Sequence, residues 1–169
     1  MNQLKFKKLH TDAIIPTRAN PGDAGVDLYA LEDVMIPAST VIVKPTTSYD
    51  PDVDVMPSFS SESFAKIGQA KIPTGIAVEI PFGHYGKVSS RSGLAFKQGI
   101  FSFDGTVDSP YRGEIGVLLY NTTDKPYHVR KGDRIAQLIV VPCAILDPVE
   151  VEELSPAERG ENGFGSSGR

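Results

Sequence analysis

The sequence has a single cysteine, no tryptophan and no long apolar run. Of its 169 residues only Cys143 carries a thiol, so no disulfide can close within the chain. The three histidines, His10, His84 and His128, are scattered and make no convincing zinc site with it. Cys143 reads as a small buried hydrophobe without a chemical role. No stretch approaches the roughly 18 apolar residues of a membrane-spanning helix. The basic start MNQLKFKKLH is not followed by the apolar core of a signal peptide. An excess of positive charge is lacking too: 17 Lys and Arg against 21 Asp and Glu leave a formal charge of -4. That excludes a sequence-independent nucleic-acid binder, which needs clustered cations to neutralise phosphates. An apolar fraction of 40% with 22% charge excludes a disordered tail protein. The expectation is one soluble, cytoplasmic domain with no membrane and no direct nucleic-acid contact.

Punctuation, by contrast, is dense: 16 Gly and 13 Pro. Between them lie short β-rich runs at Val26 to Ala30, Val41 to Lys44, Gly75 to Ile80, Tyr85 to Ser89, Ile115 to Asn121 and Arg134 to Val141. In Gly75 to Ile80, Ile76, Val78 and Ile80 alternate with Ala77 and Glu79, as in a half-buried strand. Ile135 to Val141 is nearly continuous in apolar residues and reads as a strand buried on both faces. Only Ser92 to Gln98 reads as a short helix. Many short strands separated by turns predict an all-β sandwich, barrel or jelly-roll-like domain. Two segments stand apart. Thr46 to Gln69 is polar, carries Asp50, Asp52, Asp54 and the Ser-rich run Ser58 to Ser63, and reads as an insertion without regular structure. The tail Arg159 to Arg169, RGENGFGSSGR, cannot bury enough surface to fold alone. The expected organisation is therefore a β-domain over 1–158 and a Gly/Ser-rich flap over 159–169.

Each stretch that can carry chemistry also has a plain structural reading. The tail is either a loose end or a phosphate-gripping flap, with glycine N–H groups forming an anion nest, Ser166 and Ser167 adding hydroxyls, Arg159 a bidentate charge and Phe164 a cover for a base. It lacks the Gly-Lys-Ser/Thr ending of a Walker loop. In SSRSGLA, Arg91, Ser92 and the amide of Gly93 stand at a helix start that attracts anions, and Ser92 is equally the expected N-cap. In GTVDSPYRGE, Asp108 follows a short strand and Ser109-Pro110 marks a hairpin tip. Asp108 is a turn residue or a general base on water, and Tyr111 is core packing or a flat ring beside a ligand. Asp23 and Asp27 flank Gly25; turn chemistry suits Asp23, and Asp27 has the hard oxygen donors that Mg²⁺ prefers. Gln137 interrupts an apolar run and needs a partner, either structural or a ligand.

Taken in order, AGVDLYA, RSGLA, GTVDSPYRGE, GDRIAQL and RGENGFGSSG resemble the five motifs of the trimeric dUTPase family (deoxyuridine triphosphate nucleotidohydrolases). The resemblance spans residue 24 to the C-terminus, apart from the insertion. It implies a jelly-roll-like fold, a homotrimer with shared sites, and Mg²⁺-dependent hydrolysis of dUTP to dUMP and pyrophosphate. That reaction limits uracil incorporation into DNA and supplies dUMP for dTMP synthesis. On this chain it implies that Asp27 holds the metal through water. Arg91, Ser92, Gly93 and Gln137 would meet phosphates, and Asp108 would hold the attacking water. Tyr111 would pack under the deoxyribose. Backbone of the hairpin, including Gly105, Thr106 and Val107, would read uracil. Arg159, Phe164, Gly165, Ser166 and Ser167 would close over the nucleotide.

Some positions depart from the family pattern: Ser90 replaces a common proline, Pro110 stands where Asp or Gly usually precedes Tyr, and Phe103 and Asp104 stand where smaller or amide-bearing residues are frequent. A related fold, the dCTP deaminase, would need a glutamate where this chain carries Leu118. A third reading is a binding protein that uses the Asp-rich insertion as its interface with an unknown partner.

Overall fold

A computed structural model describes residues 3–42, 64–158 and 160–161. The early strands are β1 (Lys5–Lys8), β2 (Gly25–Tyr29), β3 (Val34–Ile36), β4 (Thr40–Ile42), β5 (Phe64–Lys66), β6 (Gly68–Ile72), β7 (Ile76–Glu79) and β8 (His84–Ser89). Helix α1 (Ser92–Gln98) follows, then β9 (Ile100–Ser102), β10 (Thr106–Val107), β11 (Val117–Asn121), β12 (Tyr127–Val129) and β13 (Arg134–Pro142). All described pairings are antiparallel. A four-stranded sheet runs β10-β8-β13-β2 and a three-stranded sheet runs β6-β11-β9, with the two-stranded pairs β1-β7, β12-β3 and β4-β5 beside them. The all-β expectation therefore holds. The seven-residue α1 is too short to cross a membrane, and no described helix is long and apolar enough to do so.

Period-two patterning explains the core. In β11, Val117, Leu119 and Asn121 point inward while Leu118 and Tyr120 are half-buried. Leu28, Ile36, Ile72, Val88, Ile100, Ile135 and Leu138 close around them. Asn121 is fully buried but satisfied: its Nδ2 donates to the carbonyls of Pro37 and Lys125 at 3.0 and 2.7 Å, and its Oδ1 accepts from the Thr123 amide at 3.0 Å. β6 approaches this region so closely that any Cβ at Gly68 would overlap the Pro37 carbonyl oxygen. Gly99 ends α1 in the left-handed conformation, φ 65°, with its N–H on the Ala95 carbonyl.

Several expectations change. The stretch read as a structureless insertion, Thr46 to Gln69, ends in β5 and the start of β6, because Phe64–Lys66 finds a partner in β4 and Gly68 fits only as backbone against Pro37. Its residues 46–63 lie outside the described ones. β13 is buried on both faces only at Ile135 and Ala136; Ile139, Val140 and Val141 are half-exposed. Ala77 is buried along with Ile76 and Val78, since β1 covers β7 through the pairs Phe6–Val78 and Lys7–Ala77. Cys143 is exposed rather than buried: its N–H bonds the Gly83 carbonyl at 2.8 Å as β13 ends, and the chain then leaves the body. Beyond it, Leu146, Val149 and Leu154 are 82%, 74% and 87% exposed.

Candidate active site

The motif residues gather in two places, set by strand order. At one edge of the four-stranded sheet, Asp27 of β2 stands opposite Gln137 of β13, which stands opposite Ser89 of β8. This row leads directly into Arg91 and α1. The Asp27 backbone is fixed on both sides, by β13 and by an N–H bond of 2.8 Å to the Thr17 carbonyl. Its carboxylate is 3% exposed and lies 3.1 Å from Arg91 Nε and 3.4 Å from Arg134 Nη1. The first contact is an ion pair without hydrogen-bond alignment, so Oδ1 stays buried with no hydrogen bond. Arg91 is itself anchored, Nη1 donating to the Arg134 carbonyl at 2.9 Å. Gln137 lies over Gly25, where a Cβ would meet its own Cβ at 3.1 Å. It is half-exposed, and its amide makes no hydrogen bond among the described residues, so the structural partner sought for it is not found there.

Ser92 is the first residue of α1, not its cap. Arg91 occupies the N-cap with extended backbone, φ -90° and ψ 125°, and its carbonyl accepts the Ala95 N–H at 3.0 Å. The Ser92 hydroxyl is therefore not engaged in capping. Gly93 is exposed and a Cβ there would touch nothing within 4 Å, so the fold itself does not demand glycine. Ser90, where a proline was expected, ties this loop to β9: its hydroxyl accepts the Ser102 N–H at 2.9 Å and lies 3.1 Å from the Ser102 hydroxyl. Two hydrogen bonds thus hold the segment that a proline ring would stiffen.

The second place is the hairpin that follows β10. Thr106 and Val107 pair with Lys87 and Gly86 of β8, and the Gly105 carbonyl accepts the Val88 N–H at 2.9 Å. The chain turns at Ser109-Pro110, closed by the Tyr111 N–H on the Asp108 carbonyl at 3.0 Å. The Tyr111 hydroxyl donates to the Glu114 carbonyl at 2.9 Å, and the Glu114 carboxylate accepts the Gly75 N–H at 2.7 Å. Tyr111 is 45% exposed and is not core packing. Gly113 leaves room for it, since a Cβ there would overlap the phenol. Gly105, Thr106, Val107, Asp108 and Tyr111 line one cavity of about 410 Å³, within the range small molecules occupy. Asp108 is exposed, and its carboxylate has no hydrogen-bond partner among the described residues. Asp104 beside the hairpin pairs with Lys87 at 3.2 Å, and Phe103 is 56% exposed.

Asp27 and Asp108 are therefore far apart within a chain. Asp108 follows Val107 and so lies beside Tyr85, four residues along β8 from the Ser89 row, and β2 is three strands away. At about 3.3 Å per residue and about 4.8 Å per strand the separation is roughly 20 Å. The tail residues Arg159, Phe164, Gly165, Ser166 and Ser167 lie outside the described residues. The sequence reading missed Arg134, although it sits within GDRIAQL, and Lys71, which lines the hairpin cavity from β6. Leu118 sits half-buried in β11, with no carboxylate for deaminase chemistry. No group of three or more His, Cys, Asp or Glu is placed to hold a metal among the described residues.

A corner in which Arg91 and Arg134 meet Asp27, and a separate cavity of ligand size, mark a β-protein with room for a polar small molecule. Comparisons with known proteins agree. A family model for dUTPase matches residues 54–168. The deoxyuridine 5'-triphosphate nucleotidohydrolase of Paramecium bursaria Chlorella virus 1 is 39% identical over 168 residues, covering 99% of each chain. That of Nautilia profundicola is 41% identical over 170 residues with the same coverage. The solved structure of Staphylococcus bacteriophage 80alpha dUTPase with dUpNHpp superposes with a TM-score of 0.77 at 29% identity over the whole of both chains. The chain belongs to the dUTPase family.

Proposed function

We propose that this dUTP diphosphatase completes its sites between copies of the chain in a homotrimer, with Asp108 of one copy facing Asp27 of another. The reaction is hydrolysis of dUTP. The observation that carries the division of labour is the separation of roughly 20 Å between the two carboxylates, more than one triphosphate can bridge. The apolar arm beyond β13, with Leu146, Val149 and Leu154 bare in a single chain, supports assembly. The β-domain over 1–158 and the tail over 159–169 then act as separate parts: Arg159, Phe164, Gly165, Ser166 and Ser167 close over the bound nucleotide and exclude bulk water.

In this reading the hairpin cavity takes the deoxyuridine. Backbone of Gly105, Thr106 and Val107 reads the base, and the Tyr111 ring packs against the deoxyribose, where a 2′-hydroxyl would clash. Arg91, Ser92, Gly93 and Gln137 receive the phosphates. Asp108 accepts a proton from a water whose oxygen attacks the α-phosphorus; the bond from that phosphorus to the bridging oxygen breaks and pyrophosphate leaves with dUMP. Asp27 supplies the fit for Mg²⁺: its buried Oδ1 has no hydrogen bond, and a water of a hydrated cation is a donor of the right kind. When bound, Mg²⁺ spreads the triphosphate charge that otherwise repels a nucleophile. Arg91 and Arg134 pair with the Asp27 carboxylate and hold it aimed. The physiological result is less uracil in DNA and a supply of dUMP for dTMP synthesis. A cytoplasmic setting belongs to the same reading, as does the possibility of a separate partner for residues 46–69.

Pyrophosphate release from dUTP, dTTP, UTP and dCTP, with and without Mg²⁺, tests this. Turnover of dUTP alone, dependent on Mg²⁺, is expected. Ammonia release from dCTP would instead support the deaminase chemistry.

A further inference from the structure

The wall of the hairpin cavity carries one cation, among the described residues, that neither the motifs nor the mechanism above uses: Lys71 of β6. Its stem lies across Gly116, where a Cβ would overlap Lys71 Cε and touch Cδ and Cγ at 3.4 Å. The bare backbone at 116 is thus the seat of the lysine. Neighbouring lysines are engaged, Lys5 on Glu79 at 2.8 Å and Lys87 on Asp104 at 3.2 Å, whereas the Lys71 ammonium has no such partner among the described residues.

Register locates Lys71 along the cavity. It stands opposite Leu118 of β11, and the Leu118 carbonyl accepts the Phe103 N–H at 2.8 Å. Phe103, Leu118 and Lys71 therefore form one cross-strand row, two residues before Gly105 and five before Asp108. The stem then runs back over Gly116, which the same register sets level with Gly105, so the ammonium lies beside the start of the hairpin, three residues before Asp108; that is the base side if the α-phosphorus lies at Asp108.

We propose that Lys71 is a specificity-determining residue that reads the pyrimidine edge from the side opposite the hairpin backbone. This rests on the reading that the cavity takes the base. An ammonium offers three donors and no acceptor. It completes a hydrogen bond to a ring carbonyl oxygen, as uracil presents at its 4-position. Against cytosine, it would face an amino group that is itself a donor, leaving both unpaired. Lys71 thus discriminates by charge as well as by shape, and does so on a strand outside the five motifs.

The test uses the full chain and the variants Lys71→Met and Lys71→Arg. The readouts are kcat and KM for dUTP, and competitive inhibition of dUTP turnover by dUMP and by dCMP. In Lys71→Met, KM for dUTP should rise about fivefold with kcat retained, the scale of one half-exposed charge-assisted hydrogen bond. The preference for dUMP over dCMP should shrink by about tenfold. Lys71→Arg keeps a donor-only cation and should retain most of the preference. An equal loss of affinity for both monophosphates would mark general attraction of anions and overturn the proposal, as would a preference unchanged within twofold. If Met at this position unfolds the chain, Lys71→Gln carries the same comparison. Failure of the unaltered protein to hydrolyse dUTP would instead refute the functional reading, and the lysine's role with it.

Discussion

Mixing two inactive variants tests whether each site is divided between chains. Asp27→Asn removes the buried charge held between Arg91 and Arg134, and Asp108→Asn removes the exposed carboxylate beyond β10, both without changing side-chain size. Loss of a general base lowers turnover by about 10²–10⁴-fold, so Asp108→Asn alone should be nearly silent while still binding nucleotide. Asp27→Asn should be similarly weak. The two positions lie on opposite edges of the sheet β10-β8-β13-β2, so their separation of roughly 20 Å is fixed by two intervening strands and does not close by side-chain motion. In a closed homotrimer that contains both variants, a site drawing Asp108 from one chain and Asp27 from its neighbour has both intact at one of the three positions, or about a third of the sites. Co-expression with two different affinity tags, tandem purification of the mixed oligomer and a pyrophosphate-release assay should therefore recover activity to about that fraction of the unaltered protein. If both carboxylates served one site within a chain, every chain in the mixture would be defective. Activity staying at the level of the parents, in oligomers shown to contain both tags, would refute the division.

Three further outcomes follow from particular contacts. Gly113→Ala would put a methyl group where the Tyr111 phenol lies; because the ring is 45% exposed it can swing aside, so stability should change by less than about 1 kcal/mol while discrimination between dUTP and UTP collapses in steady-state kinetics. Leu119→Ala, at a position 1% exposed in the middle of β11, should cost about 2–5 kcal/mol, read as a lower urea midpoint. Burial, helped by the nearby Asp133 charge, raises the Tyr127 phenol above its ordinary 10.0. Above that pH the unfolded chain holds fewer protons than the native one. Stability therefore falls as pH rises from the ordinary value through the raised one, and Tyr127→Phe should flatten that part of a denaturation profile taken from about pH 9 to 11.

The β-class was legible because it rests on local signals, namely short apolar runs between glycines and prolines, and the helix Ser92–Gln98 appears with the bounds its sequence suggests. β1 was not recognised, since Lys5–Lys8 offers only Phe6 to the core and is held through backbone pairing with β7. The start of β6 looked like loop because Gly68 and Gln69 are poor strand formers in isolation; Gly68 is there because the Pro37 carbonyl leaves no space for a side chain. Cys143 was misjudged for a related reason, as residue type predicts burial only where the chain stays in contact with the body. The motif residues were legible as chemistry, but their surroundings were not: Asp108 and Tyr111 are exposed and Arg91 and Gln137 half-buried, whereas the Asp27 carboxylate is buried beside Arg91 and Arg134. Nor was their grouping, because sequence order does not reveal sheet order. β8 and β13 are separated by more than forty residues of chain yet pair side by side, and together they drive β2 and β10 to opposite edges. The same sheet order keeps Asp27 and Asp108 apart within a chain, and it is this separation that the proposed sharing of sites between copies would overcome.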